Sequence, residues 1–264
     1  MRTLLLPALL MGALAAPAPA LADLSPIEKM MVVMAANLSD AVTAPGRPES
    51  ATALDASRKP AEVLGFLGLS SGMQAADLAT GSGYWAELMA RIVGPTGHVT
   101  AFQPIQFYND KSKAAWEALL ARQKGVSLQT HPFENFTAKP ESLDFAIMNT
   151  TYHDLYTESE ERKIPRMNPD DFVRNLYAAM KPGGVVGVID HVANPGDTRA
   201  IAKSIHRIDP GVVKADFERA GFVMEAESEL LRNPDDDHGK GVFDPAVRGK
   251  TDRFLMKFRK PQES

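Results

Sequence analysis

The chain has 264 residues, 44% of them hydrophobic and 23% charged, and its 29 basic and 33 acidic side chains leave a net charge of −4. That composition is globular and argues against a disordered chain. An acidic balance without a long basic run argues against a general nucleic-acid binder. Cysteine is absent, which removes disulfides, thiolate metal sites, iron–sulfur clusters and a cysteine nucleophile together.

The chain opens with Arg2, an apolar stretch from Leu4 to Ala15 and Ala20-Leu21-Ala22 before Asp23. These are the n-region, h-region and A-x-A cleavage site of a secretory signal peptide. The stretch is far short of the ~20 apolar residues a membrane span needs. Residues 1–22 are therefore expected to be removed, leaving an exported protein with no stable membrane insertion, placed in the bacterial periplasm. Residues 23–70 read as an N-terminal helical segment. One amphipathic helix covers 26–38, with Pro26 at its start after Ser25, and a second runs from Pro60 to the Gly68 region.

From residue 71 onward the texture is α/β. Strands are expected at 74–79, 98–102, 126–131, 143–148, 185–191, 222–230 and 253–259. Helices are expected at 84–93, 111–122, 169–180 and 212–220. Strands alternating with helices imply a mostly parallel sheet with helices on both faces. The last two strands are separated by a polar loop, so an antiparallel hairpin is expected at one edge. Ligands on such sheets bind beyond the carboxyl ends of the strands.

The segment that carries chemistry is Asp77-Leu78-Ala79-Thr80-Gly81-Ser82-Gly83, between the first strand and its helix. Two glycines permit a sharp turn and close backbone approach, and the helix that follows presents free N–H groups to an anion. Two ligand classes compete for it. Gly81, Gly83 and Ala86 fit G-x-G-x-x-A, a dinucleotide fingerprint, but position 103, where an acidic residue is wanted, holds Gln103. The other class is S-adenosylmethionine, with the acidic Asp77 ending the first strand, able to hold an ammonium group or to order the turn.

Taken in order, DLATGSG, LDFAIMNTTYHDLY and LYAAMKPGGVVGVIDH resemble a class I S-adenosylmethionine-dependent methyltransferase. RKPAEVLGFLGL, GYWAELMARIVGPTGHV, TYHDLY, LLRNPDDDH and VFDPAVRGKTDRF are similar to a group of exported bacterial methyltransferase-like proteins. The likeness spans roughly residues 45 to 264. It implies a Rossmann-like fold with a seven-stranded sheet and S-adenosylmethionine as cofactor. The family's G-x-G-x-G turn has Ala79 at its first position here, and the second strand ends Phe102-Gln103-Pro104, without the family's acidic residue.

The resemblance implies that Asp77, Ala79, Gly81 and Gly83 hold the methionine part of the cofactor, that Gln103 faces the ribose, and that Asn149 lies beside both cofactor and acceptor. Asn149 and Tyr152 match two positions of the N-P-P-Y motif of amino-methyltransferases, with both prolines missing; Tyr152 would pack beside the sulfonium. His153 is a candidate general base, with Asp154 pointing away from it. Asp190 and His191 end the fifth strand on the same rim. His153 and His191 with Asp154 or Asp190 are also the donor types of a metal centre, though spacing supports none, and no metal is assigned. The loop 233–238 (NPDDDH) reads as a solvated acidic loop, with Arg248, Lys250 and Arg253 near enough to pair with it. Arg58 could reach an anionic substrate if the N-terminal segment closes over the site.

The expected function is methyl transfer to a small-molecule nucleophile. Two alternatives stay open: a non-catalytic ligand-binding protein that reuses the fold, and a nicotinamide-dependent oxidoreductase. No nucleic-acid partner is expected, and the sequence does not set the oligomeric state.

Overall fold

The computed structural model describes residues 25–262, so the expected signal peptide lies outside the described residues. Helix α1 (Pro26–Thr43) begins at a capping box in which the Ser25 side chain and Glu28 each satisfy the other's backbone N–H. Two single-turn helices follow, α2 (Glu49–Thr52) and α3 (Asp55–Arg58), and then α4 (Pro60–Leu67). Helix α4 stops at Gly68, whose φ of 86° is open to glycine.

The α/β part runs β1 (Gln74–Leu78), α5 (Tyr84–Val93), β2 (His98–Pro104), α6 (Asp110–Arg122), β3 (Val126–His131), β4 (Leu143–Asn149), α7 (Pro169–Ala179), β5 (Met180–His191), α8 (Thr198–Ile205), α9 (Pro210–Arg219), β6 (Val223–Ser228) and β7 (Arg253–Arg259). The sheet order is β3-β2-β1-β4-β5-β7-β6. β1 to β5 pair in parallel, and β7 is antiparallel to both β5 and β6. The expected seven-stranded sheet and antiparallel C-terminal hairpin are therefore present. β6 is one of the two edge strands, alternating exposed and half-buried residues, while β4 and β5 are buried along most of their length.

The sheet separates two cores. One holds Leu64, Leu67, Trp85, Met89 and Trp116; the other holds Phe136, Phe172, Phe217 and Phe258, with Phe217 stacked on Phe258 at 4.2 Å. The N-terminal helices belong to the first core, through Leu38 of α1 and Val63, Leu64 and Leu67 of α4.

Three features depart from the expected pattern. Helix α8 falls where none was expected: eight residues capped by the Asp197 side chain. β5 starts at Met180 rather than 185, so Lys181-Pro182-Gly183-Gly184 lies in the strand after a register shift against β4. The 233–238 loop is exposed at Pro234, Asp235 and Asp237, as expected, but it is pinned at Asp236 and His238. Asp236 is buried and pairs with the fully buried Arg207 at 2.9 Å, and His238 Nε2 meets the buried Asp252 at 2.9 Å. Arg232 pairs with both oxygens of Asp252. Arg248, Lys250 and Arg253 make no ion pair with the loop among the described residues.

Candidate active site

At the carboxyl ends of β1 and β4 lies a cavity of about 510 Å³, the size of a small-ligand pocket. Its floor is the turn from Asp77 to Gly83, one wall is Asn149-Thr150-Thr151 after β4, and the opposite wall is the N-terminal segment, through Leu54 and Arg58.

The turn takes three left-handed residues, Ala79 (φ 53°), Gly81 (φ 62°) and Gly83 (φ 81°). Asp77, 2% exposed, ties it together: its Oδ2 accepts the Ala86 N–H at 3.0 Å and the Thr80 hydroxyl. Of the two roles the sequence left open, the hydrogen bonds give Asp77 the ordering of the turn. Burial pushes its carboxyl up to about 7, against those two bonds and the charge of Arg58. Gly81 is gripped from both sides, its N–H by Gln103 Oε1 at 2.8 Å and its carbonyl by Trp116 Nε1 at 2.9 Å. A Cβ on Gly81 would meet open space, whereas one on Gly83 would stand 2.6 Å from Leu119 Cδ1. Gly83 therefore lets α5 start against α6. The N-cap residue of α5, Gly83, has no side chain to cap it, and Asp77 takes only the third N–H of the helix, so the first two N–H groups and the positive dipole end face the turn.

The N-terminal wall is locked to α5. Arg47 pairs with both oxygens of Asp55 at 2.6 and 2.8 Å, and the Tyr84 hydroxyl donates to Asp55 Oδ1 at 2.6 Å. The Arg58 guanidinium lies 4.3 Å from the Tyr84 ring centroid, and among the described residues it makes no ion pair, though the charges of Asp77 and Asp55 act on it. Burial lowers its pKa. Three polar atoms on the cavity residues are buried without a hydrogen bond: Asn149 Oδ1, Thr151 Oγ1 and Trp85 Nε1.

The sequence placed more groups here than the fold delivers. Asp77, Ala79, Gly81, Gly83 and Asn149 line the cavity. Gln103 does not; it is 1% exposed, and its amide oxygen is spent on Gly81. Tyr152 is fully buried in the core on the other side of the sheet, and its hydroxyl donates to Asp216 Oδ2 at 2.8 Å. Tyr156 donates to the same oxygen at 2.6 Å. The 3₁₀ turn Tyr152–Tyr156 bends away from the cavity, so Tyr152 cannot pack against a ligand there.

His153 and His191 also lie off the cavity, joined through Asp190. The His153 Nδ1 sits 2.9 and 3.1 Å from the two Asp190 oxygens, and the His153 backbone N–H donates to Asp190 Oδ2 at 2.9 Å. Burial opposes a charged His153, but the Asp190 carboxylate more than offsets it and raises the ring to about 9. Burial pulls His191 down to about 4, with the charge of His153 acting the same way. His191 Nδ1 meets Thr251 Oγ1 at 2.7 Å. Asp154 does not point away as expected: its Oδ1 lies 3.6 Å from His153 Nε2. Sequence reasoning missed the cavity residues Leu54 and Lys111 and the His206 beside His153, none of which carries a local signal.

Comparison with known proteins bears on the fold. A family model described as protein-L-isoaspartate (D-aspartate) O-methyltransferase matches residues 49–130, the N-terminal wall and the glycine turn included. A SAM-dependent methyltransferase from Aquifex aeolicus superposes with a TM-score of 0.55 at 20% identity, covering 82% of this chain and 100% of that one. One from Mesorhizobium loti gives 0.54 at 16% identity, covering 78% and 99%. The fold is that of class I methyltransferases. The cyclase SpnF shares it as well, with a TM-score of 0.57 at 17% identity over 89% and 95% of the two chains. No curated protein matches the sequence.

Proposed function

We propose that the protein transfers a methyl group from S-adenosylmethionine to a small-molecule nucleophile, and that it does so as an exported protein after loss of residues 1–22. The carrying observation is the cavity at the carboxyl ends of β1 and β4, floored by the left-handed glycine turn from Asp77 to Gly83 and large enough for a small ligand. The family-model match over the turn supports the same cofactor.

The residues present fit that cofactor. The open α5 N-terminus and Arg58 suit its carboxylate, and the space above Gly81 admits a close approach. Bound there, the cofactor supplies an activated methyl group. The chain holds donor and acceptor in line and excludes water, with Asn149 on the cavity wall beside them. His153 and His191 do not line the cavity, so no proton transfer from the acceptor is assigned to them.

A ligand-binding protein without transferase activity is the second reading. The withdrawal of Gln103 favours it, since the end of β2 then offers no side chain to the ribose hydroxyls. Calorimetric titration of residues 23–264 with S-adenosylhomocysteine tests both. A micromolar dissociation constant, about −8 kcal/mol, is expected, with methyl transfer to a member of an acceptor panel. Binding without transfer gives the second reading. No heat and no thermal shift at millimolar ligand overturns the cofactor assignment, and a shift with NAD instead gives the oxidoreductase. Export is tested by fractionating the native host and sequencing the mature N-terminus, expected at Asp23.

A further inference from the structure

His153, Asp154 and His206 bring three metal-ligating atoms together away from the cofactor cavity; none of the three residues lines it. One ring nitrogen from each histidine and one carboxylate oxygen all lie within 4.8 Å of one another. We infer that this cluster is a binding site for a first-row divalent cation of the zinc type.

The first argument is the orientation of His153. Asp190 engages its Nδ1 with both oxygens and holds its backbone N–H as well. The ring is thereby fixed, and Nε2 is the nitrogen turned towards Asp154, 3.6 Å away. A carboxylate behind a histidine, orienting it from the far nitrogen, is the outer support that metal-bound imidazoles carry.

The second argument is His206. It arrives from a distant part of the chain, as the C-cap of α8, in a left-handed conformation (φ 55°). Its ring stands edge-on to His153 at 5.4 Å, with Phe243 packed on it at 5.1 Å. Among the described residues its side chain has no hydrogen-bond partner and no ion pair. A half-buried imidazole so placed has a donor atom to give.

The donor set is the third. Two imidazoles and one carboxylate suit zinc and its first-row neighbours, whereas calcium and magnesium prefer oxygen sets. Tetrahedral ligands on bonds of about 2.0–2.1 Å stand roughly 3.3 Å apart, so the cluster must contract. His206, whose ring no hydrogen bond restrains, supplies that movement. Three protein ligands leave an open coordination position.

The experiment titrates the protein, made without a histidine tag and stripped by chelator, with Zn²⁺ by calorimetry, using Co²⁺ absorption as the spectral signature of nitrogen and oxygen ligation. A single site with a dissociation constant of about a micromolar or tighter is expected, weakened by about a hundredfold in H206A and in D154N. Circular dichroism and the Tm in EDTA report whether each variant folds. H98A, whose histidine lies on β2 beside Ser127, is expected to bind as wild type. No binding by about 100 µM Zn²⁺ overturns the site, and so does binding that survives in H206A, which would place the ion elsewhere, for instance at His238. The readout needs no cofactor, so it stands apart from the methyltransferase reading.

Discussion

Gln103 closes the glycine turn: its Oε1 accepts the Gly81 N–H at 2.8 Å, across the gap between β2 and the turn after β1. Its amide oxygen positions the backbone that meets the ligand instead of meeting the ligand itself. Gln103→Leu leaves that N–H unpaired, at a cost of about 1–3 kcal/mol. Affinity for S-adenosylhomocysteine is expected to fall by about tenfold, measured by calorimetry. Gln103→Glu keeps an acceptor in place and is expected to retain binding.

Ala79 and Gly83 are both left-handed, and their surroundings predict opposite outcomes. At Ala79 (φ 53°) the side chain is strained, and Ala79→Gly should raise stability by up to about 1 kcal/mol. At Gly83 (φ 81°) a Cβ meets Leu119 at 2.6 Å and Trp116 at 3.0 Å. Gly83→Ala should lower stability by about 2 kcal/mol or more, adding overpacking to strain. Urea unfolding of both variants checks the pair.

Asp77 ionises near 3.8 when unfolded and near 7 in the folded chain. Between those values the folded protein keeps a proton that the unfolded chain has released. The contribution of Asp77 to stability therefore falls as pH rises from about 4 to about 7 and is flat above that. Asp77→Asn has no proton to lose. Its stability relative to wild type is expected to improve across that window and then level off, as followed by unfolding midpoints from pH 4 to 9. A constant difference would contradict the assignment.

Tyr152 and Tyr156 share Asp216 Oδ2, with Arg219 also paired to that carboxylate. Tyr152→Phe should cost about 1–2 kcal/mol of stability and leave affinity for S-adenosylhomocysteine unchanged. A loss of affinity at unchanged stability would return Tyr152 to the ligand site.

The sequence by itself determined the periodic parts of this protein. The order of strands and helices, the mostly parallel sheet with its C-terminal hairpin, the glycine turn and the place of Asn149 at a strand end all follow from patterns a few residues long. Such patterns act through backbone conformation and local burial, which neighbours in sequence decide. Only the tertiary structure decided which side chains face the cavity. Gln103 turns to Gly81 from 22 positions away, Tyr152 turns to Asp216 across 64, and His206 meets His153 from the end of a helix that sequence pattern does not announce. Gln103 and Tyr152, both buried, each take the polar partner that the packed elements bring to them. An unpaired buried polar group costs more than the small conformational preferences that sequence makes visible.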